Sequence, residues 1–248
     1  MKIVVLLLFL FFPFSSHASG YVLEKKTVAS GTGFFVNMLG NIVTNEHVVR
    51  NCKNITVKGS VDITPATLIA VDSASDLALL KVNIRPNGYA KLRLDYALQP
   101  EERVMVIGYP KEHSISGEYL IRMASIIDNK GPSGEKEWIQ FTDSAEQGNS
   151  GGPLVDKKGN VIGVVRARVQ FYRLNRVAGQ APPANEDIIK NGVLFKSSNI
   201  AITTNVLQDF LNRAAAPYDS ILNLAEESDY SLEENASKYI VNVHCYLN

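Results

Sequence analysis

Residues 147 to 160 read QGNSGGPLVDKKGN, a stretch in which one serine stands among several glycines. Gly148, Gly151 and Gly152 flank Ser150, and because glycine carries no side chain, the backbone here can approach another molecule closely. The stretch predicts either a plain turn between strands or an exposed nucleophile. The second interpretation requires a general base and an orienting carboxylate elsewhere in the chain.

Length and composition limit the classes of protein to consider. The chain has 248 residues, of which 46% are apolar, so it can bury a large core as one β-rich domain or two small ones. Twenty-five basic residues balance twenty-five acidic ones. This balance gives no sign of the positive field that a nucleic-acid partner would require.

The N-terminal residues MKIVVLLLFLFFPFSSHASG have the pattern of a secretory signal. Lys2 precedes an apolar run from Ile3 to Phe14, and Ser16-His17-Ala18 fits the small-x-small pattern of a cleavage site. The run has about twelve residues, whereas a spanning helix needs about 20. We therefore expect a signal peptide over residues 1–18, export to a periplasmic or secreted location, and no stable membrane anchor.

The two cysteines, Cys52 and Cys245, are either a disulfide or two unrelated buried thiols. An exported protein meets an oxidising compartment, which makes the disulfide plausible. Neither cysteine has the clustered spacing of a zinc site. The sequence therefore implies no metal and no cofactor.

Short strand-like runs separated by turn signals dominate the chain and predict an all-β fold. A polar, irregular join near Leu92 to Glu102 separates two sets of strands, and a helical pattern begins at Asn205. Leu174 to Ser198 has the composition of one long loop or insertion. The pattern indicates two packed β units and a helical end.

Four histidines are candidates for the general base. His17 leaves with the predicted signal, His113 lies in the loop KEHSISG, and His244 is close to the C-terminus. His47 occurs in IVTNEHVV, where a strand ends and a short turn begins. This position suits a side chain presented at the rim of a barrel.

Three segments in order resemble the histidine, aspartate and serine motifs of trypsin-like serine proteases of the HtrA/Deg group. They are GTGFFVNMLGNIVTNEHVV, SDLALLKV and TDSAEQGNSGGPLVDKKGNVIGV. The resemblance implies that His47 is the base, Asp76 the orienting acid and Ser150 the nucleophile, with Asp72 as the rival carboxylate. It also implies a protein or peptide substrate.

The resemblance covers roughly Val28 to Asn212 and implies a two-β-barrel, trypsin-like (chymotrypsin) fold with a short helical C-terminal extension. We expect the protease domain over residues 19–212, with barrel one at about 26–98 and barrel two at about 99–212. The extension, residues 213–248, is expected to be a short helix and a strand packed on the protease. About 36 residues follow Asn212, too few for the PDZ domain that HtrA proteins commonly carry. The oligomeric state is not indicated.

The resemblance places the oxyanion hole at the backbone N–H groups of Gly148 and Ser150, with Asn149 between them. Digestive trypsins have an aspartate at that intervening position, which pairs with a newly cut N-terminus. Asn149 is neutral and can instead hydrogen-bond locally. We therefore expect activity without any cleavage beyond removal of the signal.

The expected substrate pocket involves Ser144, Arg166 and Arg168. The resemblance to trypsin-like enzymes places Ser144 at the floor of their primary pocket, where an aspartate would select Lys or Arg, so trypsin-like specificity is disfavoured. A neutral floor suits an uncharged substrate side chain. Arg166 and Arg168 lie on the strand expected to form a pocket wall, where they either accept an acidic side chain or face solvent.

Two other classes of function remain as alternatives. Gly148 to Gly152 also fits G-x-S-x-G, the nucleophile elbow of an α/β-hydrolase-type esterase, with Ser150, Asp229 and His244 as its triad. That elbow needs a helix after the serine, whereas Pro153 and LVDKKGNVIGVV favour a β-hairpin. The second alternative is a catalytically silent, protease-like binding protein or chaperone.

Overall fold

The computed structural model describes residues 27–93, 98–111, 117–142, 145–173, 193–221 and 229–247. The predicted signal peptide, His17, His113 and Ser144 lie outside these residues. Strands dominate the described chain and form two closed barrels, which confirms the all-β, two-barrel prediction.

Barrel one contains six antiparallel strands. In their order around the barrel they are β1 (Thr27–Phe35), β14 (Ile240–Tyr246), β3 (Asn54–Gly59), β4 (Thr64–Asp72), β5 (Leu77–Lys81) and β2 (Asn41–Asn45). Side chains such as Phe34, Ile42 and Leu79 fill its interior and are fully buried. Their burial removes large apolar surfaces from water and is the main force that closes the barrel.

The C-terminal strand β14 is an integral part of barrel one. Val243 of β14 pairs with Gly31 of β1 on one side and with Val57 of β3 on the other. The expected division placed barrel one within residues 26–98 and packed the extension against the protease, but the last strand lies inside the barrel wall. β1 and β3 would otherwise be edge strands with unpaired backbone groups, and β14 satisfies both.

Barrel two also contains six strands. They are β10 (Pro153–Asp156), β7 (Arg103–Gly108), β8 (Leu120–Asp128), β9 (Trp138–Phe141), β12 (Val193–Thr203) and β11 (Val161–Arg173), and pairing of β10 with β11 closes the ring. Two short parallel strands, β6 (Leu92–Arg93) and β13 (Ser220–Ile221), continue the sheet beyond β11.

The segment expected as a loop over Leu174 to Ser198 is partly strand. Val193 to Ser198 belongs to β12 and pairs with Arg173 to Val169 of β11, while residues 174–192 lie outside the described chain. The polar composition of this segment concealed the strand because an extended two-stranded ribbon is paired through its backbone and can leave its side chains exposed.

Three helices are described, α1 (Glu46–Val49), α2 (Thr204–Arg213) and α3 (Asp229–Ser237). The helical pattern predicted from Asn205 is confirmed as α2, which buries Leu207, Phe210 and Leu211. Their spacing of three and four residues places them on one face of the helix. None of the helices in the described ranges is long and apolar enough to cross a membrane.

Cys52 and Cys245 form a disulfide, which confirms the predicted pairing. The bond joins the segment just after α1 to β14, across a sequence separation of 193 residues. It therefore ties the C-terminal strand covalently to the first half of barrel one.

Candidate active site

His47 lies in the single turn of α1, immediately after the fully buried strand β2. Val48 and Val49 anchor this turn in the core, while the His47 side chain is 40% exposed. Its Nδ1 lies 2.8 Å from Oδ2 of Asp76, and its backbone N–H donates to Oδ1 of the same carboxylate at 3.0 Å. The two contacts fix both the orientation of the ring and the place of the helix turn.

Asp76 lies in the turn between β4 and β5 and has a left-handed backbone, with φ of 58°. Aspartate tolerates this conformation better than most residues. The carbonyl oxygen of Asp76 accepts hydrogen bonds from Glu46 N at 3.1 Å and Asn45 Nδ2 at 3.0 Å. These bonds attach the turn to the start of α1, so the carboxylate and the imidazole are held in a fixed relation.

The side chain of Asp76 is only 8% exposed. Burial alone would raise the pKa of this carboxyl, but hydrogen bonds from His47 and Arg166 outweigh burial, and the pKa is lowered. The group is therefore ionised at neutral pH. It can hold Nδ1 of His47 as the proton-bearing nitrogen, which leaves Nε2 free to accept a proton.

Asp72, the rival carboxylate, is engaged elsewhere. Its Oδ1 accepts the backbone N–H groups of Ala74 and Ser75, and its Oδ2 forms an ion pair with Arg213 at 2.5 Å. Of the two carboxylates, it is Asp76 that contacts the imidazole.

Ser150 lies at the centre of a loop whose peptide groups are held by hydrogen bonds. The carbonyl of Gln147 accepts Lys111 N at 2.7 Å, and the carbonyl of Asn149 accepts Gly152 N at 2.9 Å. In a trans peptide the C=O and N–H groups point in opposite directions. The N–H groups of Gly148 and Ser150 therefore point away from these partners.

Neither the N–H of Gly148 nor that of Ser150 donates a hydrogen bond within the ranges that the structure describes. Gly148 has φ of 103°, and a β-carbon there would lie 2.3 Å from the carbonyl oxygen of Tyr109. Only glycine fits this turn of the chain. The loop thus presents the two backbone N–H groups to which the resemblance assigns the oxyanion hole.

Asn149 lies in the serine loop between Gly148 and Ser150. Its own N–H donates to the carbonyl of Glu146 at 3.0 Å, so it is not a third donor for an oxyanion. The side chain is 1% exposed, and its Oδ1 has no hydrogen-bond partner among the described residues. The side chain packs against Gly108 beneath the loop.

The hydroxyl of Ser150 donates to the carbonyl oxygen of Arg166 at 3.2 Å. This bond orients the side chain along β11. A serine that acts as a nucleophile must instead pass its proton to a base, and hydrogen bonds of this kind often tighten only when substrate is bound.

Arg166 does not extend into solvent, which corrects one of the two expectations for its side chain. Its Nε donates to Oδ2 of Asp76 at 3.2 Å, and its guanidinium carbon lies 4.8 Å from the ring centre of Trp138. The side chain is 26% exposed. The aromatic face and the carboxylate hold the charge in place, so Arg166 contacts the carboxylate that orients His47.

A cavity of about 370 Å³ adjoins Ser150. Its lining residues are Ala145, Glu146, Gln147, Ser150, Val165, Ala167, Arg168 and Asn199. Arg168 therefore borders the cavity beside Ser150, and its Nη2 also donates to the carbonyl of Ala145 at 3.1 Å. Ser144, the expected floor, lies outside the described residues.

Sequence reasoning missed two residues of this site. Thr32 contacts the serine loop from β1, and Trp138 supports Arg166 from β9. Thr32 lies next to the glycines of GTGFF, but that pattern predicts only a strand. A contact over 116 positions of sequence leaves no local signal.

The esterase alternative is wrong. Ser150 is followed by strand β10, where an elbow would have a helix, and His244 lies in β14 of barrel one between Ser30 and Thr56. Among the described residues, no group of three or more histidine, cysteine, aspartate or glutamate side chains is arranged to hold a metal ion.

Residues 31–164 match the trypsin-like peptidase domain family, a match that includes His47, Asp76 and Ser150. The chain belongs to this family. A protein of Sinorhizobium fredii, y4bJ, is 36% identical over 224 residues, which are 90% of this chain and 33% of that protein. A probable periplasmic serine endoprotease of Pseudomonas fulva, described as DegP-like, is 35% identical over 57% of this chain and 29% of its own length.

The fold of this trypsin-like chain is also similar to that of an HtrA-type protease, AlgW, solved with a decapeptide. The TM-score is 0.57 at 22% identity, over 75% of this chain and 51% of that one. The family match and the DegP-like relative confirm the resemblance to the HtrA/Deg group. The chain spans about a third of the length of the curated relatives that it matches.

Proposed function

We propose that this protein is a serine endopeptidase that cleaves protein or peptide substrates through Ser150, His47 and Asp76. The observation that carries the proposal is the 2.8 Å contact between His47 Nδ1 and the buried carboxylate of Asp76. It is joined by a serine loop in which the N–H groups of Gly148 and Ser150 have no acceptor among the described residues. This arrangement supplies a base, an orienting acid and a nucleophile.

In the proposed reaction the Oγ of Ser150 forms a bond to the carbonyl carbon of a peptide, and its proton passes to Nε2 of His47. The tetrahedral intermediate collapses when the C–N bond breaks and the leaving amine takes that proton. The product is an acyl-enzyme ester on Ser150. Water then attacks this ester by the same route, releases the acid and restores the serine.

The negative charge that develops on the substrate oxygen needs donors already in place. We assign this role to the N–H groups of Gly148 and Ser150, because the hydrogen bonds of Gln147 and Asn149 orient them without a terminal ammonium group. Buried, neutral Asn149 could not form an ion pair with such a group. A precursor that carries an N-terminal tag should therefore keep most of the activity of the processed form on one peptide substrate.

We further propose that the protein works after export, in a periplasmic or extracellular space. The disulfide between Cys52 and Cys245, the N-terminal sequence pattern and the DegP-like relatives support this location. In fractionated cells that express the full chain, the protein should be found outside the cytoplasm and shortened by about 18 residues.

The direct test compares the wild-type protein with Ser150→Ala in a fluorophosphonate labelling assay and in hydrolysis of casein. The wild type should be labelled at Ser150 and should cleave casein, and the variant should do neither, since the attacking oxygen is absent. Unchanged proteolysis by Ser150→Ala would overturn the assignment. A folded wild type that binds unfolded protein without cleaving it would favour the chaperone alternative.

The two described histidines give a matched comparison. His47→Ala should lose roughly 10⁴-fold or more in kcat, because the proton acceptor is removed. His244→Ala, in the wall of barrel one, should stay within a few fold of the wild type. The reverse result would place the base elsewhere.

A further inference from the structure

Thr32 forms a four-way hydrogen-bonded junction between the two barrels. Its Oγ1 donates to the carbonyl of Gly148 at 2.7 Å and accepts the N–H of Tyr109 at 2.9 Å. Its backbone N–H donates to the carbonyl of Ser150 at 2.9 Å, and its own carbonyl accepts Thr44 Oγ1 at 2.7 Å. The residue is fully buried.

These bonds hold two peptide groups of the serine loop, and each is next to a peptide that carries a proposed oxyanion donor. The Gly148–Asn149 peptide is held at its oxygen by the Thr32 hydroxyl, and the Ser150–Gly151 peptide is held at its oxygen by the Thr32 N–H. The peptides that carry the N–H groups of Gly148 and Ser150 lie directly before and directly after the Gly148–Asn149 peptide. Their direction depends on the orientation of their neighbours, because successive peptide planes are linked only by φ and ψ.

Thr32 also connects this loop to the part of barrel one that bears His47. Thr44, whose hydroxyl donates to the Thr32 carbonyl, lies in β2 just before α1. A single residue of β1 therefore contacts both the loop of the nucleophile and the strand that leads to the base.

We propose that Thr32 is a positioning residue for the proposed peptidase reaction, and that its hydroxyl, which does not contact Thr44, aligns the N–H donors of Gly148 and Ser150. This role rests on the proposed function. It requires a hydroxyl rather than only a side chain of this shape, since one oxygen must donate to Gly148 and accept from Tyr109 at the same time.

Thr44 provides a matched control. It is also a fully buried threonine of barrel one, and its hydroxyl also bonds a backbone carbonyl at 2.7 Å. The carbonyl that it bonds belongs to Thr32, so its removal leaves the bond to Gly148 in place. If Thr32 had only a structural role, Thr32→Val and Thr44→Val would have the same effect on kcat.

The experiment measures kcat, KM and the thermal midpoint of Thr32→Val, Thr32→Ser and Thr44→Val in the mature protein. Thr32→Val should lower kcat by about 10–100-fold with KM within about threefold, because displaced donors cost transition-state rather than ground-state binding. Thr32→Ser should recover kcat to within about threefold of the wild type. Thr44→Val should keep kcat within about threefold of the wild type, even if its thermal midpoint falls as far as that of Thr32→Val.

Equal kcat values for Thr32→Val and Thr44→Val would overturn the proposal, as would a loss confined to KM. If Thr32→Val does not fold, Thr32→Ser and Thr32→Ala form a second pair that differs chiefly by the hydroxyl, and their kcat values should differ by at least about tenfold. A wild type without activity dependent on Ser150 would instead overturn the proposed function.

Discussion

The two barrels contribute to the site in different ways. Barrel one supplies the side chains of His47 and Asp76 from a helix turn and a strand connection, whereas barrel two supplies Ser150 and backbone N–H groups from a loop. Barrel two is built from one stretch, residues 103–203, while barrel one combines residues 27–81 with the C-terminal strand β14. The half of the site that contains His47 and Asp76 therefore depends on a strand from the C-terminal part of the chain.

The largest expected effect follows from removing β14. A chain that ends after residue 238 would leave β1 and β3 as unpaired edges and would expose apolar positions such as Val57 and Phe34 to water. We expect loss of the cooperative thermal transition and of near-UV circular dichroism from barrel one, together with loss of activity.

A chain that lacks only residues 247–248 is the control for this truncation. Leu247 lies beyond β14 and is 43% exposed, so its removal should leave the thermal midpoint within a few degrees. A folded and active chain ending at residue 238 would show that barrel one does not need its C-terminal strand.

Asp76→Asn tests the side-chain contribution of barrel one without removing the turn. An amide can hold the imidazole in the wrong tautomer, and the corresponding change in a triad costs about 10⁴ in kcat. Activity of the variant within tenfold of the wild type would contradict the assigned role.

The same variant has a pH-dependent effect on stability. The folded-state pKa of Asp76 is lowered, so its ionised form stabilises the fold fully above the ordinary carboxyl pKa of about 3.9. This contribution disappears as the pH falls through the lower folded-state pKa. The difference in free energy of unfolding between wild type and Asp76→Asn should therefore be largest near pH 7 and should shrink at acidic pH, as urea titrations can measure.

The disulfide should have an intermediate effect, confined to stability. Replacing Cys52 and Cys245 by alanine releases β14 from the segment after α1, and loss of such a bond typically costs about 2–4 kcal/mol. The thermal midpoint should fall by roughly 4–16 °C. Activity at 25 °C should stay within a few fold, since neither cysteine contacts the triad. An unchanged midpoint would mean that backbone pairing alone secures β14.

The smallest effects are expected from replacing two arginines of β11 in barrel two. Arg166→Met keeps a long side chain against Trp138 but removes the donor to Asp76, so kcat should fall by about 3–10-fold for every substrate. Arg168→Met changes the lining of the cavity beside Ser150. It should alter the preference between acidic and neutral substrate side chains by about 3–10-fold, with similar kcat. A library of peptides read by mass spectrometry measures both.

Much of the candidate site was predictable because its parts are local. The glycines around Ser150 and the strand end at His47 are sequence patterns with a direct structural meaning. The placement of Asp76 followed from the resemblance to HtrA proteases, and the structure agrees by placing Asp76 rather than Asp72 against His47. The contact of Arg166 with Asp76 was not predictable, because the side chains of residues 90 positions apart meet only after both barrels form.

The sequence by itself determined the all-β class, the helix that begins near Asn205 and the candidate catalytic residues, since strand and turn patterns and short motifs are properties of neighbouring residues. The partner strands of β14, the junction at Thr32 and the support of Arg166 by Trp138 were decided only by the tertiary structure. A strand pattern shows that a backbone needs partners, but not which edges will supply them. The partners of a strand are decided by the barrel arrangement that buries the apolar faces and also pairs the backbone of every strand.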